Sequence, residues 1–172
     1  IDEKEYEISR NSGEHHAHGG FYGFDRKVWN VTEYSENKIT LNYLSKDGEE
    51  GYPGNLNMNV TYEIDNNSLI ITYHGETDKD TVCNITNHSY FNLNGHDSGD
   101  ILKHKLKINA SAISSFDSKY LPLGTTDKVA GTCFDFTSEK EIGKDFFTDN
   151  EILKTCGGFD INYCIEDELC AV

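Results

Sequence analysis

Long apolar runs are missing from this chain. Nowhere does it approach the roughly eighteen consecutive apolar residues that a membrane-spanning helix needs, so no membrane partner is expected. Positive charge is also scarce. Lys and Arg total 15 against 30 Asp and Glu, a formal charge of −15, which repels phosphate backbones and anionic lipid alike and removes nucleic acid from the expected partners. The five cysteines (Cys83, Cys133, Cys156, Cys164 and Cys170) are odd in number, widely spaced and form no CxxC pair. Neither a disulfide framework nor a zinc knuckle is indicated, and a reducing, cytoplasmic location fits such thiols best. There is no GxGxxG, no P-loop and no GxSxG, so nucleotide binding and serine hydrolysis have no motif behind them. Six N-x-S/T sequons, at Asn30, Asn59, Asn66, Asn84, Asn87 and Asn109, follow from a composition rich in Asn and Thr, and glycosylation is not expected.

Proline is nearly absent and long helical periodicity is hard to find, whereas alternation with period two recurs, the pattern of half-buried strands in an antiparallel architecture. In "LNMNVTYEI" the residues Leu56, Met58, Val60, Tyr62 and Ile64 share one face, with Asn57, Asn59, Thr61 and Glu63 on the other. "SLIITYHG" follows after "DNN", which predicts a hairpin over residues 56–74 turning at Asp65, Asn66 and Asn67. "ILKHKLKINA" places Leu102, His104, Leu106, Ile108 and Ala110 inward and Lys103, Lys105 and Lys107 outward. "KITLNYL" and "FDINYCI" share the period, and the one helical candidate, near Glu139 to Leu153, is short and interrupted by Gly143. The expected fold class is all-β, a large antiparallel β-sandwich, and 172 residues suffice for a single domain, 1–172, with a core of its own. "KDGEEGYPGN", residues 46–55, reads by itself as a long connection.

Against this background one strand candidate is unusual. In "TVCNITNHSYFNL" the same period gathers Val82, Asn84, Thr86, His88, Tyr90 and Asn92 on one side. That face is polar yet uncharged, while the solvated strand face at 103–107 uses lysine. Amides, imidazole and phenol donate to and accept from neutral hydroxyls, and an aromatic ring can cover the C–H face of a pyranose, so a sugar is one candidate ligand. A structural histidine in a polar core is the competing reading of His88. Further upstream, "EHHAHGGFYGFDRKVW" holds His15, His16 and His18 before Gly19 and Gly20. Three histidines in four residues invite a metal, but only His16 and His18 share a strand face and no carboxylate or thiol stands at a familiar ligand spacing, so no metal is assigned. The glycine pair permits a bend or a close backbone approach. In "CGGFDINYCI" another glycine pair precedes Asp160, which can accept hydrogen bonds from two hydroxyls or simply belong to a turn.

Taken in order, "HGG" with "GFDRKVW", "DGEEGYPGNL", "TNHSYFNLNG", "YLPLGTTDKVAGTCFDF" and "GGFDINY" resemble the aldose 1-epimerase, or galactose mutarotase, family from about residue 14 to residue 165. The resemblance implies a β-sandwich of the galactose mutarotase type, an open cleft, no metal or organic cofactor, a small-molecule hexose as partner, and a monomer or weak homodimer. It implies interconversion of the α and β anomers of free hexoses. A base takes the proton of the anomeric hydroxyl, an acid protonates the ring oxygen, and the ring opens, turns at C1 and recloses. On the family pattern the histidine of "NHSYFN" is that acid, here His88. Imidazole suits the task because its ordinary pKa, about 6.5, lets it both give and retake a proton near neutrality. His18 of "HGG" would bind the sugar and help polarise the ring region, Asp160 would hold hydroxyls, and Ser89 and Tyr90 would line the site.

Two positions depart from the pattern: Ala17 stands where leucine is usual, and Ile161 where histidine is common. The family's glutamate base, far beyond "GGFD", and its upstream Asn-Arg motif have no counterpart here, and Glu166 and Glu168 follow Asp160 too closely to serve. The expectation is therefore an internal piece of an epimerase lacking both ends and inactive alone. Two alternatives remain open: a non-catalytic carbohydrate-binding relative that has lost the base, and a relative acting on hexose 6-phosphates. The second is disfavoured by having only Arg10 and Arg26 as arginines.

Overall fold

The structure is a computed structural model that describes residues 1–166, and the chain divides into two compact units, Ile1–His88 and the part from Ser89 onward. Strands dominate and every pairing between them is antiparallel.

In the first unit, β1 (Asn30–Tyr34), β2 (Lys38–Ser45), β3 (Leu56–Asp65) and β4 (Ser68–Thr77) form one sheet in the order of the sequence. The period-two pattern sets the register. Leu41 pairs with Val60 and Val60 with Tyr73, which puts the apolar members of three strands on one face. Met58 and Val60 are the buried centre of β3, at 1% and 5% exposure. Met58 lies over Gly75, where a Cβ would stand 2.9 Å from its Cε, so only glycine leaves the thioether its place. The opposite face is a polar ladder in which Asn42 Nδ2 donates to Asn57 Oδ1 at 2.8 Å and to Asn59 Oδ1 at 3.0 Å. The hairpin between β3 and β4 turns at Asn66 and Asn67, with Asp65 already paired to Ser68 and Asn66 left-handed at φ 53°.

In the second unit, β6 (Ala112–Phe116) lies between β7 (Pro122–Lys128) and β9 (Tyr163–Cys164), while β5 (Lys105–Leu106) pairs with β8 (Lys140–Glu141). Ile113, Val129, Phe134 and Leu153 make its core, with Phe159, Ile161 and Tyr163 packed against them. Phe136 meets Phe159 edge to face with 5.2 Å between ring centroids. Two helical turns, α1 (Gly143–Phe146) and α2 (Glu151–Cys156), complete it.

Three local expectations change. The helical candidate is two helices, and Gly143 opens the first instead of interrupting one. The separation falls at Asn150, whose side-chain oxygen accepts from the amides of Ile152 and Leu153 and so starts α2. Pairing in "ILKHKLKINA" is confined to Lys105–Leu106, yet burial alternates residue by residue from 101 to 110 as the period requires. Residues 81–93, expected as a strand, form none, because alternation selects faces but cannot supply a ladder partner. The face assignment still holds from 84 to 88: Asn84, Thr86 and His88 are exposed, and Ile85 and Asn87 are half-buried.

Candidate active site

The three upstream histidines have different surroundings. Ser12 and His15 exchange backbone hydrogen bonds at 3.0 Å in an isolated bridge. His16 is held at both ring nitrogens. Nδ1 lies 2.7 Å from the Ser9 carbonyl, which can only accept, so this nitrogen carries the proton and Nε2 accepts from Tyr52 Oη at 2.7 Å. A ring so engaged is a structural histidine, and among the described residues no group of three or more His, Cys, Asp or Glu could hold a metal ion.

His18 is the member that faces outward. Its backbone is left-handed at φ 53°, and Gly19 and Gly20 continue with φ 82° and 96°, so three consecutive residues lie on the side of the map that L side chains avoid. Asn11 ties the turn from one side, donating to the carbonyls of Ala17 at 2.9 Å and Gly20 at 3.0 Å while accepting from Ala17 N. Glu50 ties it from the other. Its carboxylate accepts from Ser9 Oγ at 2.5 Å, Tyr22 N at 2.9 Å and Phe21 N at 3.2 Å. Consecutive amides leaving a left-handed turn form a concave anion site, here filled by the protein's own carboxylate.

The Ser9 hydroxyl above all, with the two amides and nearby His16, holds the Glu50 carboxyl below the ordinary glutamate range against the opposing effect of burial. A depressed folded-state pKa has a definite linkage sign. The stabilisation is complete above the unfolded value, about 4.3 for glutamate, and is lost as pH falls through the lower folded value. Denaturant unfolding of the wild type and Glu50→Gln from pH 7 down to 3 should show a stability gap that closes only on the acid side. A gap independent of pH would mean that the charge of Glu50 contributes nothing.

His18 and His88 lie beside each other, their ring centroids 5.4 Å apart and their planes at 80°. Both are exposed and both border a cleft of about 620 Å³ within the first unit, a volume in the range that encloses small ligands. Its walls combine aromatic rings, Tyr22, Phe24 and Tyr52, with the neutral polar residues Asn84 and Thr86. Glu49 forms part of its wall and is fully engaged: it accepts from Tyr43 Oη at 2.7 Å and Ser45 Oγ at 3.1 Å and pairs with Lys27 at 3.2 Å. Burial alone would lower the Lys27 ammonium, but its hydrogen bonds to Glu49 and Tyr43 outweigh that and leave it raised, so the ammonium stays charged at neutrality. The cleft can therefore place an imidazole proton, a second imidazole and neutral hydrogen-bonding groups around one polyhydroxylated ligand.

Ser89, Tyr90 and Asp160 belong to the second unit. Ser89 and Tyr90 follow His88 directly and are exposed, Tyr90 at 90%. Asp160 is exposed on unpaired backbone after Gly157 and Gly158. The Cys156 thiol is raised first by burial and then by the negative charge of Asp160. Glu166 is engaged in the backbone, its Oε1 accepting from Ser111 N at 3.0 Å, while Glu168 lies outside the described residues. Residue reasoning missed Ser9, Asn11 and Glu50. The signal for Glu50 was present in "KDGEEGYPGN", whose Gly48, Glu50 and Gly51 are all left-handed, but that stretch read only as a connection.

Comparison with known proteins places this geometry in context. A family model described as aldose 1-epimerase matches residues 1–172. Galactose mutarotase of Sus scrofa is 39% identical over 175 residues, covering 99% of this chain and 49% of that protein. Aldose 1-epimerase of Haemophilus influenzae is 38% identical over 160 residues, covering 92% and 46%. Among solved structures, galactose 1-epimerase from Lactobacillus acidophilus NCFM superposes with a TM-score of 0.84 at 33% identity, over 96% of this chain and 50% of that one. The chain spans about half the length of the curated relatives it matches.

Proposed function

The chain belongs to the aldose 1-epimerase family, and from that premise we propose that its protein interconverts the α and β anomers of a free hexose such as glucose or galactose, with His88 as the general acid. The observation that carries the proposal is the pair of exposed imidazoles, His18 and His88, 5.4 Å apart beside a cleft whose lining combines aromatic rings and amide and hydroxyl side chains with the carboxylates of Asp25, Glu49 and Glu50.

In the proposed reaction His88 in its protonated form donates to the pyranose ring oxygen as the C1–O5 bond breaks. The anomeric hydroxyl gives its proton to a base and becomes the carbonyl of the open aldehyde. Rotation about C1–C2 presents the other carbonyl face, O5 attacks it, and His88 retakes its proton as the base returns the other. His18, donating a hydrogen bond towards the same oxygen, favours the charge that develops there. Asp160 holds sugar hydroxyls by accepting from two of them, and Ser89 and Tyr90 add hydrogen-bonding groups next to the acid. Residues 1–172 act as one domain in this reading, in the cytoplasm, as a monomer or weak homodimer.

Curated relatives bear the names of epimerases and mutarotases, which gives no support to a non-catalytic sugar binder. Polarimetry on freshly dissolved α-D-galactose and α-D-glucose tests the proposal: the intact protein should hasten the approach to the equilibrium rotation. A rate equal to that of buffer, with sugar binding still seen by tryptophan fluorescence, would leave a binder and overturn the enzyme.

A further inference from the structure

Two residues of the first unit that are not glycine hold left-handed backbones on either side of one contact, His18 at φ 53° and Glu50 at φ 51°. Such conformations persist only where the surroundings over-determine them, and they concentrate at functional sites. Here the surroundings are visible. The carboxylate of Glu50 passes so close to Gly20 that a Cβ on that residue would collide with Oε2, and from there it reaches the amides of Phe21 and Tyr22. On the far side of the turn, Gly23 approaches the His18 carbonyl so closely that it too has no room for a Cβ. His18 is thus gripped through its backbone from both directions, while its ring stands exposed against His88.

We propose that Glu50 is a positioning residue, which fixes the His18 ring beside His88 by anchoring the amides of Phe21 and Tyr22 beneath the His18-Gly19-Gly20 turn. Its consequence for catalysis rests on the mutarotase reading above, but the anchoring itself does not. All three of its hydrogen bonds go to protein donors, and its effect on the sugar passes through His18. A carboxylate is the suitable anchor because it offers two oxygens to two consecutive N–H groups and a hydroxyl at once, which a serine or an amide of the same reach could not do.

A double-mutant cycle in the intact protein tests the route. Glu50→Ala should lower kcat/KM for galactose about 10- to 100-fold, the scale of a catalytic group displaced by about an ångström. In a His18→Ala background the same substitution should change it less than about twofold, because the residue it positions is gone. Glu50→Gln, which keeps one acceptor, should fall between. Equal losses in both backgrounds would overturn action through His18. A readout without turnover separates this from the mutarotase reading. The His18 Hε1 resonance should shift on His88→Ala, through the lost ring current, and this response should shrink in Glu50→Gln and vanish in Glu50→Ala. Amide exchange at Phe21 and Tyr22 should quicken in both variants. Unchanged protection of these amides would overturn the anchoring, whereas absent turnover with the resonance response as expected would overturn only the reaction.

Discussion

Replacing His88 with alanine is expected to lower kcat for mutarotation by about 10²- to 10⁴-fold, the range that a positioned general acid contributes. The argument starts from the chemistry. Opening a pyranose leaves charge on the ring oxygen, and that charge is neutralised only if a proton arrives as the C–O bond lengthens. His88 is exposed, stands on a stretch whose exposed neighbours Asn84 and Thr86 carry no charge, and has a second imidazole 5.4 Å away. His88→Gln should fail almost as completely as His88→Ala, since an amide can donate a hydrogen bond to the oxygen but cannot transfer the proton. KM should change far less than kcat in both, because the interaction lost is made mainly in the transition state. Polarimetry over a range of galactose concentrations gives both constants. A His88→Gln variant retaining the wild-type kcat would place the acid elsewhere.

Gly20→Ala is expected to be nearly as damaging to activity although it touches no substrate. Gly20 has φ 96°, where an L side chain is strained, and its new methyl group would collide with Glu50 Oε2 and come within 2.6 Å of Ser9 Oγ. A flexible side chain could step aside, but this carboxylate is fixed by Ser9, Phe21 and Tyr22. Either the carboxylate leaves, releasing the two amides, or the turn shifts and takes His18 with it. The expected cost is about 1–3 kcal/mol of stability from overpacking and about 100-fold in kcat/KM from misplacement of the imidazole. Gly19→Ala is a built-in contrast: its methyl group would meet only Gly23 Cα, at 3.4 Å, so it carries the φ penalty without the collision. Urea unfolding and polarimetry on the two variants should rank Gly20→Ala as the worse in both, and the reverse order would contradict the role assigned to the carboxylate.

Much of the fold could be read from residue pattern because period two is a local property. Met58 and Val60 are buried in the strand whose alternation named them, and the hairpin turns at Asn66 and Asn67 where the asparagines stand. The 101–110 segment alternates in burial although only two of its residues are paired, since each backbone step of an extended chain reverses the side chain whether or not a ladder forms. Pairing is another matter. Residues 81–93 have the composition of a polar strand face and form no strand, and the helical candidate divides at Asn150, a cap that a hydrophobic pattern does not register.

From the order of residues alone came the all-β class and the nomination of His18, His88 and Asp160 through motifs met in sequence. Tertiary structure alone decided that His18 and His88, seventy positions apart, meet edge to face, that His16 is spent on Ser9 and Tyr52, and that Glu50 fills the concave side of the glycine turn. The division has a physical reason. Alternation and turn chemistry act between neighbours and are written in every short stretch. A contact between distant residues depends on where several left-handed backbone steps aim the chain, and no single stretch records their sum.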